Sequence, residues 1–312
     1  MTLHGLALAR GTIDRATILR EDASWIESAW ETPSTRVLVV SDGHALLGPD
    51  GALYFITTDQ APAGARFFLG VETPLAPGDP AHPPLAQIAY FGISGPLPDI
   101  PGTEHVTLRQ SGALLSDRDA GLLTHAVAIA NWHDSHTHCP QCGAATIPAP
   151  GGQLAKCPVD GTQHFPRTDP AVIMLVTDPL DRCLLARNVA WGERRMSILA
   201  GFIEPGESAE MAVIREVEEE TGIKVADVHY LGSQPWPMPR SLMLGYRAAA
   251  AADQRIVMQT DEIAEARWFT RQELLAEIKT GELSLPPQSS IARRIIESWY
   301  GPELPSGTVP FR

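Results

Sequence analysis

Six glutamates fall between Glu207 and Glu220. On a helix turning 100° per residue, Glu216, Glu219 and Glu220 stand at i, i+3 and i+4 and share a face, while Glu218 points nearly opposite. Like charges at that spacing cost a few tenths of a kcal/mol per pair. The cost makes sense if the face collects a hard divalent cation such as Mg²⁺ or Mn²⁺, which prefers carboxylate oxygen. The same spacing equally describes a solvated acidic face. A second group has a different chemistry. Cys139-Pro-Gln-Cys142, 14 intervening residues, then Cys157-Pro-Val-Asp160 has the spacing of a zinc ribbon in which a carboxylate stands at the fourth position. Thiolate is the better structural ligand for zinc, so the fourth ligand is open. Asp160 ranks first by position, His164 next, and His133, His136 and His138 are the other candidates. The competing reading is a relic knuckle that holds no metal.

The glutamates lie in a longer pattern: Gly201, five residues, Glu207, seven residues, Arg215-Glu216, apolar, any, Glu219-Glu220, any, Gly222, apolar. Every fixed position resembles the Nudix box, and the resemblance extends over about Pro166 to Tyr300. It implies an α+β fold, the α/β/α Nudix sandwich, and hydrolysis of a nucleoside diphosphate linked to another moiety. It also implies that Glu216, Glu219 and Glu220 are the catalytic metal ligands, that Glu207 and Arg215 anchor the helix, and that Gly201 and Gly222 are turn positions. Clustered divalent metals would neutralise charge on the diphosphate oxygens and activate a water.

Ten residues past the box, Ser233-Gln-Pro-Trp-Pro-Met-Pro-Arg-Ser241 places three prolines at alternating positions, which stiffens the segment. It resembles the Ser-Gln-Pro-Trp-Pro-Phe-Pro-x-Ser signature of the NADH pyrophosphatase branch, with Met238 in place of Phe; methionine can fill an aromatic's space and still touch a ring. That branch cuts NAD(H) into NMN(H) and AMP and can remove NAD caps from RNA 5′ ends. The resemblance implies substrate contacts at Gln234, Pro235, Trp236, Pro237, Met238, Pro239, Arg240 and Ser241, a further metal ligand at Glu262, and backbone contacts at Ala200 and Ala292. Phe165 and Phe202 offer rings that could stack a nicotinamide, their other reading being plain core. Structural zinc and a homodimer complete what the branch implies. Two alternatives stand beside it: a Nudix hydrolase for ADP-ribose or another nucleoside diphosphate derivative, and a dinucleotide-sensing binding protein.

The elements that must position these residues follow from pattern. Ala171 to Thr177, Cys183 to Val189 and Met196 to Phe202 are strand runs, with the lone Cys183 read as core. A helix follows from Ala209 to Thr221, with Ser208 as N-cap and Gly222 where a left-handed C-terminal cap belongs. Strands at Val225 to Leu231, Leu242 to Ala249 and Ala264 to Phe269 precede helices at about Arg271 to Lys279 and Ser289 to Tyr300. Upstream, Val37 to Val40 and Phe67 to Val71 suggest a mainly β domain, Pro74 to Pro101 reads as surface loops, and Ser116 opens a helix running to about His133. The expected division is an N-terminal domain at 1–134, a ribbon segment at 135–165 and the hydrolase domain at 166–312. There is no internal repeat of 20 to 50 residues.

Composition bounds the function. The 312 residues are 44% hydrophobic and 20% charged, ordinary globular usage. Lys and Arg number 24 against 37 Asp and Glu, a net charge of −13, which opposes the broad basic surface that non-specific nucleic-acid binding needs. An anionic substrate must therefore be reached through captured cations. No apolar run approaches a membrane span, and no secretory signal is legible at the N-terminus, so a cytoplasmic protein without membrane contact is expected.

Overall fold

The computed structural model describes residues 2–72 and 87–305. The chain forms two compact units: Arg10–Thr168 with Trp236–Arg240, and Met1–Ala9 with Asp169–Pro235 and Ser241–Arg312.

The first unit runs α1 (Thr17–Glu21), α2 (Ala23–Glu31), β1 (Arg36–Val40), β2 (His44–Leu47), β3 (Ala65–Glu72), β4 (Ile88–Ser94), β5 (Glu104–Thr107), α3 (Leu108–Ser111) and α4 (Asp117–Ser135). Three short strands follow, β6 (Ile147–Pro148), β7 (Ala155–Lys156) and β8 (Gln163–His164), which pair in that order. Strand β4 sits centrally, parallel to β1 and antiparallel to β3. Phe68, Phe91, Ile93, Val37 and Ile26 fill the core beneath it. A Cβ on Gly92 would lie 2.1 Å from Cε2 of Phe67, so only glycine lets that ring cross the sheet. The Pro74 to Pro101 loop expectation is corrected here: Ile88–Ser94 is a strand, because its apolar residues supply the core, while residues 73–86 lie outside the described ones. Helix α4 starts as expected, Ser116 Oγ accepting the Asp119 N–H at 3.2 Å, and buries Leu122, Leu123, Ala126 and Ile129.

In the second unit, β9 (Asp169–Thr177), β10 (Cys183–Asn188), β11 (Leu199–Phe202), α5 (Ala209–Thr221), β12 (Val225–Trp236), β13 (Ser241–Ala250), β14 (Ile263–Phe269), α6 (Arg271–Thr280) and α7 (Ile291–Tyr300) follow in order. The sheet order is β12-β13-β9-β10-β14, with β11 on β9. Strand β9 is buried on both faces, and its side chains alternate between two cores. Val172, Met174 and Val176 meet Ala212, Val213 and Val217 of α5. Ile173 and Leu175 meet Leu274 of α6 and Ile291 and Ile295 of α7. This is a sheet between helical layers, the sandwich expected, and Cys183 is core as read. The expected strand Met196 to Phe202 shortens to Leu199–Phe202, while β12 extends to Trp236, through the first half of the proline segment. The N-terminal residues also join this core: Leu6 is buried in it, and the Leu3 N–H donates to the Leu231 carbonyl at 2.6 Å.

Candidate active site

Strand β11 and helix α5 bring the glutamates together. Ser208 Oγ accepts the Met211 N–H at 3.2 Å to start α5, and Gly222 at φ 69° ends it, its N–H on the Glu218 carbonyl at 2.8 Å. Gly201, expected at a turn, instead lies within β11 opposite Val172. The need is for space, since a Cβ there would fall 1.9 Å from Cδ of Glu216. Glycine lets the strand approach the helix face and seats Glu216 against it.

Arg215 organises the entrance. Its Nε and one terminal nitrogen grip both Glu207 oxygens at 2.8 Å, and that nitrogen also reaches the Phe202 carbonyl at 2.9 Å. Its other terminal nitrogen meets Glu216 and Glu219, each at 2.9 Å. The Arg215 contact, helped by the Glu204 N–H, holds the Glu207 carboxyl down to about 2, and Arg215 itself is raised chiefly by Glu207. The bidentate pair ties the loop before α5 to its second turn, as the anchoring expectation required.

Glu216, Glu219, Glu220 and Glu262 line one cavity of about 740 Å³. Glu220 is buried and its Oε2 has no hydrogen-bond partner. Burial first, and then the charges of Glu216, Glu262 and Glu219, push its carboxyl up to about 8; burial also raises Glu216. A buried carboxyl oxygen without a donor, facing three further carboxylates, fits a hard divalent cation. Ala200, Phe202 and Ser241 line the same cavity, and the Phe202 ring is 58% exposed.

Other expected contacts sit differently. Gln234 is fully buried: its Oε1 accepts the Leu8 N–H at 3.3 Å and its Nε2 donates to the Ser289 carbonyl at 3.0 Å. Its amide is thus consumed in joining three chain segments. Ala292 is buried, and its N–H donates to Ser290 Oγ at 3.2 Å. Pro235 is half-buried. Trp236 to Arg240 cluster with the N-terminal unit. There Asn131 Nδ2 donates to the carbonyls of Pro237 at 2.8 Å and Pro239 at 3.0 Å, and the Arg109 guanidinium lies 5.3 Å from the Trp236 ring centre. Met238 is half-buried, and Phe165, in the N-terminal unit, is 60% exposed. Asn131 and Arg109 carry no motif of their own, so nothing in the sequence pointed to them. Gln259, three residues before Glu262, also lines the carboxylate cavity, and only that proximity could have flagged it.

In the N-terminal unit, ligand atoms of Cys139, Cys142, Cys157 and Asp160 all lie within 4.8 Å of one another. Two matching turns present them. The Gly143 N–H bonds the Cys139 carbonyl at 2.9 Å and the Gly161 N–H the Cys157 carbonyl at 3.0 Å, with Gly143 at φ 75° and Gly161 at φ 76°. Asp160 Oδ1 accepts the Thr162 N–H at 2.9 Å, while Oδ2 lies 3.4 Å from Cys139 Sγ. That backbone N–H is the main cause holding Asp160 below the usual carboxylate range. Three thiols and one oriented carboxylate fit a tetrahedral zinc. Among the alternatives, His133 Nε2 is engaged with the Gly152 carbonyl at 2.8 Å, His136 Nδ1 with Ser135 Oγ at 2.9 Å and His138 Nδ1 with Thr137 Oγ1 at 2.8 Å. His164 stands outside the cluster.

The NUDIX domain family matches residues 167–288. The NAD-capped RNA hydrolase NudC of Mycobacterium bovis is 42% identical over 306 residues, 94% of each chain. Human NAD-capped RNA hydrolase NUDT12 is 41% identical over 197 residues, 59% of this chain and 42% of its own length. A crystal structure of a NUDIX hydrolase from Nitrosomonas europaea covers 44% of this chain and 79% of that one at 23% identity and a TM-score of 0.38.

Proposed function

The chain belongs to the Nudix family and is related over nearly its whole length to NAD-capped RNA hydrolases; on that premise we propose that it is a metal-dependent diphosphatase that cuts NAD(H) into NMN(H) and AMP and removes NAD caps from RNA 5′ ends. The observation that carries the reading is the convergence of Glu216, Glu219, Glu220 and Glu262 on one cavity, with a buried oxygen of Glu220 left without a donor. A dinucleotide sensor would need no such set.

In this reading those four carboxylates hold Mg²⁺ or Mn²⁺, which supplies charge neutralisation at the diphosphate and a water of lowered pKa. The chain does the rest. Arg215 fixes Glu216 and Glu219 while Glu207 fixes Arg215, so the ligand set is assembled before substrate arrives. Gly201 clears the space in which Glu216 stands. Phe202 presents an exposed ring at the cavity wall, suited to a nicotinamide or adenine face. Zinc at Cys139, Cys142, Cys157 and Asp160 is structural, and a homodimer in the cytoplasm is the setting the reading carries. Among the described residues no helix is long and apolar enough to cross a membrane.

The test is chromatography of NADH, NAD-capped RNA and ADP-ribose incubated with the protein and Mg²⁺ or Mn²⁺. NMNH and AMP from NADH, with ADP-ribose cut less efficiently, are expected. ADP-ribose as the better substrate would move the assignment to a Nudix hydrolase of another nucleoside diphosphate derivative.

A further inference from the structure

Among the described side chains lining the carboxylate cavity, one is cationic. Arg215 directs its charge inward, to Glu207, Glu216 and Glu219. A diphosphate entering this cavity therefore meets no uncommitted positive side chain on its described wall. Two lining side chains can donate a hydrogen bond without bringing charge, Ser241 and Gln259. Ser241 belongs to the proline segment already considered; Gln259 belongs to no motif.

The backbone of Gln259 is held at two points of the ligand set. Its N–H donates to the Glu220 carbonyl at 3.1 Å, and its carbonyl accepts the Glu262 N–H at 3.2 Å and the Ile263 N–H at 2.9 Å. The residue is thus anchored between the end of α5 and the turn that carries Glu262, while its side chain is exposed at the cavity. An amide there has two N–H donors. Lysine at this place would pair with the glutamates, and an acid would repel the substrate. Glutamine does neither, so its donors stay available to an oxygen that gains charge as the diphosphate is attacked.

We propose that Gln259 is a catalytic residue whose side-chain amide donates a hydrogen bond to a non-bridging oxygen of the substrate's diphosphate. The proposal rests on the diphosphatase reading but not on the leaving group, since NADH and ADP-ribose present the same diphosphate.

The experiment measures kcat and KM of wild type, Gln259→Ala, Gln259→Asn and Gln259→Glu on NADH and on ADP-ribose at saturating Mg²⁺. Melting temperature, Mn²⁺ affinity by electron paramagnetic resonance, and binding of inorganic pyrophosphate to the Mn²⁺-loaded protein are recorded beside them. Gln259→Ala should lower kcat at least about tenfold by the same factor on both substrates, the scale of one lost donor to a developing oxyanion reduced for an exposed site. Gln259→Asn should recover part of the loss and Gln259→Glu should lose more, with melting temperature unchanged in all three and Mn²⁺ affinity unchanged in Gln259→Ala and Gln259→Asn. A kcat and pyrophosphate affinity of Gln259→Ala within twofold of wild type would overturn the proposal. So would a loss that follows an equal fall in Mn²⁺ affinity or melting temperature, since that marks a structural joint. If wild type cuts only ADP-ribose, the NADH reading fails and Gln259 is judged on ADP-ribose; if it cuts neither, pyrophosphate affinity decides.

Discussion

Glu220 is a carboxyl group whose protein environment, without a cation, opposes its ionisation: it is buried, one oxygen has no donor, and three carboxylates face it. Two outcomes follow from that residue. With its folded value near 8 against an ordinary value of 4.5, the folded metal-free protein binds a proton more tightly than the unfolded chain. The stability this contributes is complete below about pH 4.5 and is lost as pH rises through about 8. Chelator-treated protein should therefore melt at progressively lower temperature from about pH 5 to pH 8, and saturating Mg²⁺ should restore the melting temperature at pH 8. Glu220→Gln should flatten the metal-free profile; a wild-type profile that is flat or rises over that range contradicts the burial argument. The same substitution, or Glu219→Gln, should cut turnover at least about a hundredfold with the fold intact, because the loss falls on cation and transition-state charge rather than packing. Circular dichroism and steady-state rates with NADH check both halves.

At the scale of elements, what was legible in the sequence was what is local. Helix α5 announces both ends, Ser208 and Gly222, and its charge spacing fixes which glutamates share a face. The two cysteine turns are equally local, each closed within five residues by a glycine at positive φ. What the sequence hid depends on distant partners. Strand β4 lay unread within a proline-rich stretch because its place is set by pairing with β1 and β3. Gln234 reads as a substrate contact in its motif, yet Leu8 and Ser289, 226 and 55 residues away, take up its amide. Gly201 reads as a turn, and only the approach of Glu216 shows that it is a clearance. The ribbon supplies a prediction at this scale. Cys139, Cys157 and Cys142 with one oriented carboxylate oxygen should hold about one zinc per chain in protein purified without chelator. Asp160→Ala should lose zinc to a chromogenic chelator faster than wild type, and His164→Ala should not. Asp160→Cys should slow the loss, because a fourth thiolate binds zinc better than carboxylate. Equal release from Asp160→Ala and wild type would remove Asp160 from the ligand set.

For the whole molecule, the governing quantity is the net charge of −13 against the polyanionic RNA of the proposed capped substrate. Proteins that bind nucleic acid through a basic surface release counterions, so their affinity falls steeply as salt rises. This chain has 24 basic residues to 37 acidic ones, and Arg215 at the cavity is committed to glutamates. A net charge of that sign opposes the approach of RNA, and added salt screens the repulsion beyond a Debye length of roughly 8 to 10 Å at physiological strength. The consequence is an inverted salt response. At saturating Mg²⁺, kcat/KM for an NAD-capped RNA of about 20 nucleotides should rise severalfold between roughly 20 and 150 mM KCl, the range over which screening becomes effective. The value for NADH, which carries far less charge, should change much less. Steady-state rates on the two substrates across that series separate the cases, and the ratio of the two slopes is the informative number. A steep fall for the capped RNA, with NADH unaffected, would mean that a local basic surface, rather than cations captured by the carboxylates, delivers the RNA end to the cavity.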